Sequence, residues 1–121
     1  DLIGVGIPKT VDNDLFGTDH TPGFASAARS NILNVKQAGM LARDMKKVDQ
    51  FVVYQTIGRD SGWLGAATAM AKKNDDDAPH LIYCPEFDFD KISFLEDVEK
   101  AYKKYGWVSV VCGEGLKYAN G

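Results

Sequence analysis

The sequence predicts an α/β domain, a Rossmann-like parallel sheet with flanking helices, and three observations carry that prediction. Short apolar runs alternate with amphipathic helical segments along the 121 residues, the order that parallel sheets with right-handed crossovers require. The apolar runs lack two-residue alternation, as strands do when helices cover both faces of their sheet. The segments that follow the runs combine glycine with charge, at the sheet edge where such folds bind ligands.

Four strands and three helices are expected, in the order β-α-β-α-β-α-β. The run "LIGVGI" (2–7) reads as a short buried strand. Thr21 is placed to N-cap the first helix, and Pro22 suits its first turn. Phe24, Ala28, Ile32, Val35, Gly39, Ala42 and Met45 keep helical spacing to about Lys47. "FVVYQTI" (51–57) is the second strand, and Ser61 is placed to cap a second helix running to about Lys73. The run "NDDD" (74–77) then reads as a solvated loop, and "HLIYC" (80–84) as the third strand. Ser93 and Glu96 have capping-box spacing. The helix they start carries Leu95, Val98 and Tyr102 on one face, and Gly106 stops it. "WVSVVC" (107–112) is the fourth strand. No repeat, linker or low-complexity segment interrupts the pattern.

Composition narrows the function classes. With 45% hydrophobic and 26% charged residues the chain is an ordinary globular protein. A net charge of -3 argues against a general nucleic-acid binder. Neither a bilayer-spanning run nor a signal peptide is evident, so no membrane partner is expected. Cys84 and Cys112 show no metal or redox spacing and read as reduced, buried thiols, which suits a cytoplasmic protein. The chain starts "DLIG", without Met, and stops at "YANG" soon after a strand; it is expected to be a piece of something longer.

The chemistry should lie in the loops after the strands. "PKTVDND" places Thr10, Asp12 and Asp14 at alternate positions, so an extended loop would point them to one side, with Lys9 and Asn13 on the other. Of two such carboxylates, one can take a proton from a hydroxyl while the other holds Mg²⁺, directly or through water. A lysine beside them can neutralise phosphate, which makes the set equipment for phosphoryl transfer. An Asx-rich turn bonding its own backbone is the competing reading. In "GRDSG", Gly58 allows close ligand approach and Arg59 suits bidentate phosphate or carboxylate recognition. An ion pair of Arg59 with Asp60 or Asp44 would explain the same residues. In "CGEGL", Glu114 can accept bonds from sugar hydroxyls or simply occupy a turn. "PEFDFD" offers Glu86, Asp88 and Asp90 to a cation, although a solvated loop explains them better. His20, His80, Trp63 and Trp107 read as structural residues.

"GIPKTVDNDL", then "TDHTPGFASAAR", "GRDSGWLGAA" and "GEG", in that order and at that spacing, resemble the phosphofructokinases. The resemblance covers essentially the whole chain and is closest to the pyrophosphate-using branch. It implies that residues 1–14 are a strand and catalytic loop of the larger lobe and 15–121 the smaller, sugar-phosphate lobe. It further implies transfer of a phosphoryl group from pyrophosphate to the 1-hydroxyl of fructose 6-phosphate, with Mg²⁺ as cofactor and a homo-oligomeric enzyme. Asp12 matches the general base, Asp14 the Mg²⁺ carboxylate and Thr10 a sugar-phosphate contact. Gly58 and Arg59 match the motif that binds sugar and steadies the transferred group, and Glu114 matches a sugar-hydroxyl ligand.

Lys9 matches the lysine common in pyrophosphate users, where bacterial ATP-dependent members commonly have glycine. Some ATP-dependent relatives carry the lysine too, so ATP is the alternative donor; a non-catalytic sugar-phosphate-binding subunit is the alternative of another class. Two positions depart from the family pattern. Ile57 replaces the usual Met before Gly-Arg. Gln50 replaces an arginine that, in many bacterial ATP-dependent members, reaches a neighbouring subunit's sugar phosphate. The upstream glycine-rich loop and the downstream "PEGR"-type motif are absent, so the isolated segment is expected to be inactive.

Overall fold

The computed structural model describes residues 1–120. Helix α1 (Phe24–Asp44) leads into strand β1 (Phe51–Thr56). A short helix α2 (Trp63–Ala67) runs on as a 3₁₀ turn (Thr68–Ala71), followed by β2 (Leu81–Tyr83), α3 (Lys91–Tyr105) and β3 (Val108–Gly113). The three strands are parallel and lie in the order β1-β3-β2. Phe51 pairs with Val108 and Thr56 with Gly113, while Tyr83 pairs with Cys112. All three carboxyl ends therefore reach the same edge of the sheet.

Alternation along β3 separates two cores. Val111 faces α1, joining Val35, Ala42, Ala71, Ala78 and Trp107. Val108 and Val110 face α3, packing with Ala101, Phe94 and Val98. β3 thus has the two-faced cover that the unalternating strands predicted, whereas β1, at the sheet edge, buries one face and leaves Phe51 and Val53 exposed. A third cluster, Phe24, Ala28 and Leu64, locks α1 onto α2 and so fixes the turn just before α2. Leu64 is fully buried, and truncating it to alanine would cost about 2–5 kcal/mol. The helical spacing expected for α1 holds through Ala42, with Phe24, Ala28, Val35, Gly39 and Ala42 buried and Ile32 partly so, but the helix ends at Asp44 and Met45 is its exposed C-cap.

Several local expectations are corrected. Residues 2–7 form no strand: Leu2, Ile3, Val5 and Ile7 lie exposed. A strand buried on both faces needs neighbours to hydrogen-bond, and no described strand runs beside this one. Thr21 does not cap α1. Gly23 does, with φ 91°, while the Thr21 N–H and hydroxyl both turn to Asn13. Ser61 likewise caps nothing, because its hydroxyl is drawn to Asp12, and the second helix tightens to 3₁₀ after Ala67. Asp90, not Ser93, caps α3, accepting the Ser93 N–H at 2.7 Å. An Asp three residues before a free amide outcompetes a Ser inside the helix. On α3 the buried stripe runs through Phe94, Val98 and Ala101, and Leu95 and Tyr102 are exposed. Gly106 ends α3 as expected, at φ 76° with its N–H on Tyr102 O. The acidic loop is tied down: Arg43 bridges Asp76 and Asp77, and Lys104 pairs with Asp75. No helix is long and apolar enough to cross a membrane among the described residues.

Candidate active site

The loop 10–14 is not extended. Val11 and Asp12 form a turn, and Asn13 takes a left-handed φ of 59°. The expected one-sided row of Thr10, Asp12 and Asp14 is therefore lost: Thr10 and Asp12 are buried and Asp14 is exposed. Asn13 explains the bend. Its side chain accepts from Thr21 N–H at 2.9 Å and from the Thr21 hydroxyl, and its amide donates to Asp19 O at 3.0 Å. Asn tolerates φ > 0 better than most residues and here closes the loop 13–21 on itself. The competing reading of a side chain bonding its own turn describes Thr10, whose Oγ1 accepts Asp12 N–H, and not Asn13, which reaches six and eight positions on to Asp19 and Thr21.

Asp12 is held by three contacts from two loops. Its N–H donates to Thr10 Oγ1 at 3.2 Å, and its carbonyl accepts from Ser61 Oγ at 2.9 Å. Its Oδ2 lies 3.3 Å from Arg59 Nε. Arg59 therefore pairs with Asp12, not with Asp60 or Asp44; Asp60 meets Lys117 instead, at 3.5 Å. The Asp12 side chain is only 10% exposed and that of Arg59 is 73% exposed. Among the described residues only Nε of the guanidinium is engaged, which leaves the planar fork directed at solvent.

Two carboxylates from neighbouring strand ends hold the turn that carries Arg59. Glu114, just past β3, accepts the N–H groups of Gly58 and Arg59 on one oxygen, at 3.0 and 2.7 Å. Those two bonds, that from Arg59 foremost, hold its carboxyl below the usual glutamate range. Glu86, just past β2, accepts Gly62 N–H at 2.6 Å. Glu86 and Asp90 thus serve as backbone acceptors, and among the described residues no three His, Cys, Asp or Glu side chains form a metal cluster. The structure brings together Thr10, Asp12, Gly58, Arg59 and Glu114, and adds Ser61 and Glu86. The sequence signal for Glu86 was there: like Glu114, it follows a strand end and a small or rigid residue.

Lys9 and Asp14 are exposed and are not linked to that set by any described hydrogen bond or ion pair. Asp14 lines a cleft of about 550 Å³ with Phe16, Asp19, His20 and Trp63. Gln50 lies at the opposite, amino end of β1, where its side chain accepts from Tyr102 OH at 3.1 Å. Both cysteines are free, and burial raises their thiols above the ordinary range, so neither is poised as a nucleophile.

Residues 2–121 match the family model described as Phosphofructokinase. The chain is 42% identical over 118 residues to the pyrophosphate–fructose 6-phosphate 1-phosphotransferase of Xanthomonas campestris, covering 97% of this chain and 28% of that protein. It is 44% identical to the enzyme of the same name from Rhodospirillum rubrum, with the same two coverages of 97% and 28%. It superposes on the crystal structure of a pyrophosphate-dependent phosphofructokinase from Nitrosospira multiformis with a TM-score of 0.87 at 38% identity, covering 95% of this chain and 29% of that one. The chain thus spans about 28% of the length of the curated relatives it matches. A match running from residue 2 to residue 121, on a fold that superposes at this level, leaves one assignment: the chain belongs to the phosphofructokinase family.

Proposed function

We propose that this chain is the central part of a phosphotransferase that moves a phosphoryl group from pyrophosphate to the 1-hydroxyl of fructose 6-phosphate, giving fructose 1,6-bisphosphate. The observation that carries this reading is the Asp12–Arg59 pair. A shielded carboxylate touches an exposed guanidinium at the carboxyl edge of a parallel sheet, in a chain whose relatives are named for that reaction.

Asp12 takes the proton of the 1-hydroxyl as its oxygen attacks phosphorus. The bridging P–O bond breaks and phosphate leaves. Arg59, with its fork free, spans the transferred oxygens and balances their charge. Lys9 meets the departing phosphate. Thr10, Gly58 and Arg59 contact the sugar phosphate, and Glu114 offers it the oxygen not taken by the two backbone amides. Asp14, an exposed carboxylate without an ion-pair partner among the described residues, would hold Mg²⁺. A single carboxylate completed by phosphate oxygens and water is a normal donor set for that ion. Bound there, it would screen phosphate charge. Because pyrophosphate and the sugar bisphosphate are comparable phosphoryl carriers, the reaction runs in either direction.

In this reading residues 1–14 belong to a larger lobe and 15–121 to a smaller one. The apolar run 2–7 supports that division, since Leu2, Ile3, Val5 and Ile7 all lie exposed. The enzyme would be a cytoplasmic homo-oligomer working in glycolysis.

The test is a coupled assay for fructose 1,6-bisphosphate on the full-length protein, with Mg-pyrophosphate and Mg-ATP in parallel. Turnover with pyrophosphate alone is expected. Turnover with ATP alone would remove Lys9 as a guide to the donor, and silence with both would overturn the catalytic reading.

A further inference from the structure

The turn 58–62 holds Arg59 in a conformation that its own residues do not favour. Arg59 has φ 50° and Gly58 φ 139°. A non-glycine residue in the left-handed region costs about 1–3 kcal/mol and persists only where its surroundings over-determine it. Four hydrogen bonds do so here. Ser61 N–H closes the turn on Gly58 O at 2.8 Å. Glu114 takes the two amides at its start. Glu86 takes the Gly62 amide at its end. The fit on the Glu86 side leaves no slack, because a Cβ on Gly62 would lie 2.5 Å from the other Glu86 oxygen and 2.7 Å from Cys84 Cβ.

We propose that Glu86 is a positioning residue for Arg59: it pins the far end of the turn and thereby fixes where the guanidinium stands beside Asp12. The role of Arg59 rests on the reading given above; the pinning of the turn does not. Glu86 touches no reacting group. It works by withholding alternative conformations from a turn whose other end is held by Glu114. Because Glu86 follows β2 and Glu114 follows β3, the turn after β1 is fixed by both other strands of the sheet.

The experiment uses the full-length protein in two arms. In the kinetic arm, Glu86→Ala is expected to lower kcat between roughly tenfold and a hundredfold, the usual cost of a misplaced catalytic group. Glu86→Gln, which keeps an acceptor oxygen, should recover most of that loss. In an Arg59→Ala background, Glu86→Ala should change kcat by less than about threefold, since the two act as one unit. An undiminished loss in that background overturns the proposal, as does a Gln variant as damaged as Ala. In the exchange arm, amide exchange across 58–62 should rise at least about tenfold in Glu86→Ala while β3 is unchanged. Unchanged exchange at 58–62 overturns the proposal whatever the kinetics. If exchange rises in β3 as well, the variant has lost its fold and Glu86→Asp replaces it, keeping the charge but falling one methylene short of the Gly62 amide. Wild-type protein silent with both donors would sink the functional reading only, and the exchange arm would still decide the clamp.

Discussion

The carboxylate of Asp12 meets Arg59 Nε at 3.3 Å although 47 positions separate the two residues. The contact contributes little to stability, because an ion pair with one partner so exposed is worth about 0–1 kcal/mol. Its significance is placement. Asp12 is fixed through Thr10 and Ser61, Arg59 through Glu114 and Glu86, and the two loops converge on one point at the sheet edge.

Asp12→Asn tests the base. Asparagine keeps the size of the side chain and an oxygen for Arg59 but cannot take a proton. In the full-length enzyme kcat should fall by roughly 10²- to 10⁴-fold, the usual share of general-base catalysis, with KM for fructose 6-phosphate changed only a few-fold. Steady-state kinetics with both substrates varied would check this, and a kcat within tenfold of wild type would remove Asp12 from the proton transfer.

Glu114 should make the turn sensitive to acid. Its carboxyl is held below the ordinary 4.5 by the Arg59 and Gly58 amides. A carboxyl whose folded value is depressed contributes its interaction above the unfolded value, and loses it as pH falls through the folded one. The amide resonances of Gly58 and Arg59 should therefore titrate with a midpoint below 4.5, and the titration should vanish in Glu114→Gln. A midpoint at or above the ordinary value would show that the two bonds do not persist in solution.

Much of this arrangement was legible in the sequence, and the failures share a cause. The core stripe of α1, the parallel order and the Gly106 stop follow from local periodicity and backbone chemistry, which the sequence carries directly. The Asp12–Arg59 contact was not legible. The alternation that seemed to align Thr10, Asp12 and Asp14 presumed an extended loop, and Asn13 bends it by bonding to Thr21. Thr21 and Ser61 both looked like helix caps because Ser and Thr commonly are. Each hydroxyl is drawn instead to a partner away from the helix it precedes, Thr21 to Asn13 across their own loop and Ser61 to Asp12 on another, choices that helix-cap statistics do not carry. The run 2–7 has the composition of a strand but no described neighbour. Composition reports the wish to be buried, not the presence of something to be buried against.

His80 should destabilise the fold in mild acid. Its ring stacks on Tyr105 and meets the edge of Trp107, each at 4.5 Å, and Nδ1 accepts Ser109 N–H at 3.0 Å. Burial lowers its affinity for a proton below the ordinary 6.5, with Lys72 adding to the effect and the Asp76 carbonyl and the Asp76 and Asp75 charges opposing it. Because the unfolded state then binds the proton more tightly, stability is full above about pH 6.5 and falls as pH drops toward the folded value. Thermal melts between about pH 5 and 8 should show this slope, and His80→Asn, whose oxygen can replace Nδ1, should flatten it. An identical slope in the variant would place the sensitivity elsewhere.

Asp14 should set the requirement for Mg²⁺. It is exposed whereas Asp12 is buried, and no described hydrogen bond or ion pair joins it to the Asp12–Arg59 pair, so its removal ought to leave that geometry intact. Chelation should abolish turnover in the wild-type enzyme, and readdition should restore it. In Asp14→Asn the free Mg²⁺ needed for half-maximal rate should rise at least about tenfold, since the remaining donors are water and phosphate, while kcat at saturating metal recovers in part. The position of Asn13 makes the experiment specific. The turn is closed through Asn13 and Thr21, not through Asp14, so the variant loses a charge without losing the bend. An unchanged Mg²⁺ dependence would mean that the ion is carried by pyrophosphate alone, leaving Asp14 a solvated carboxylate at the mouth of the cleft.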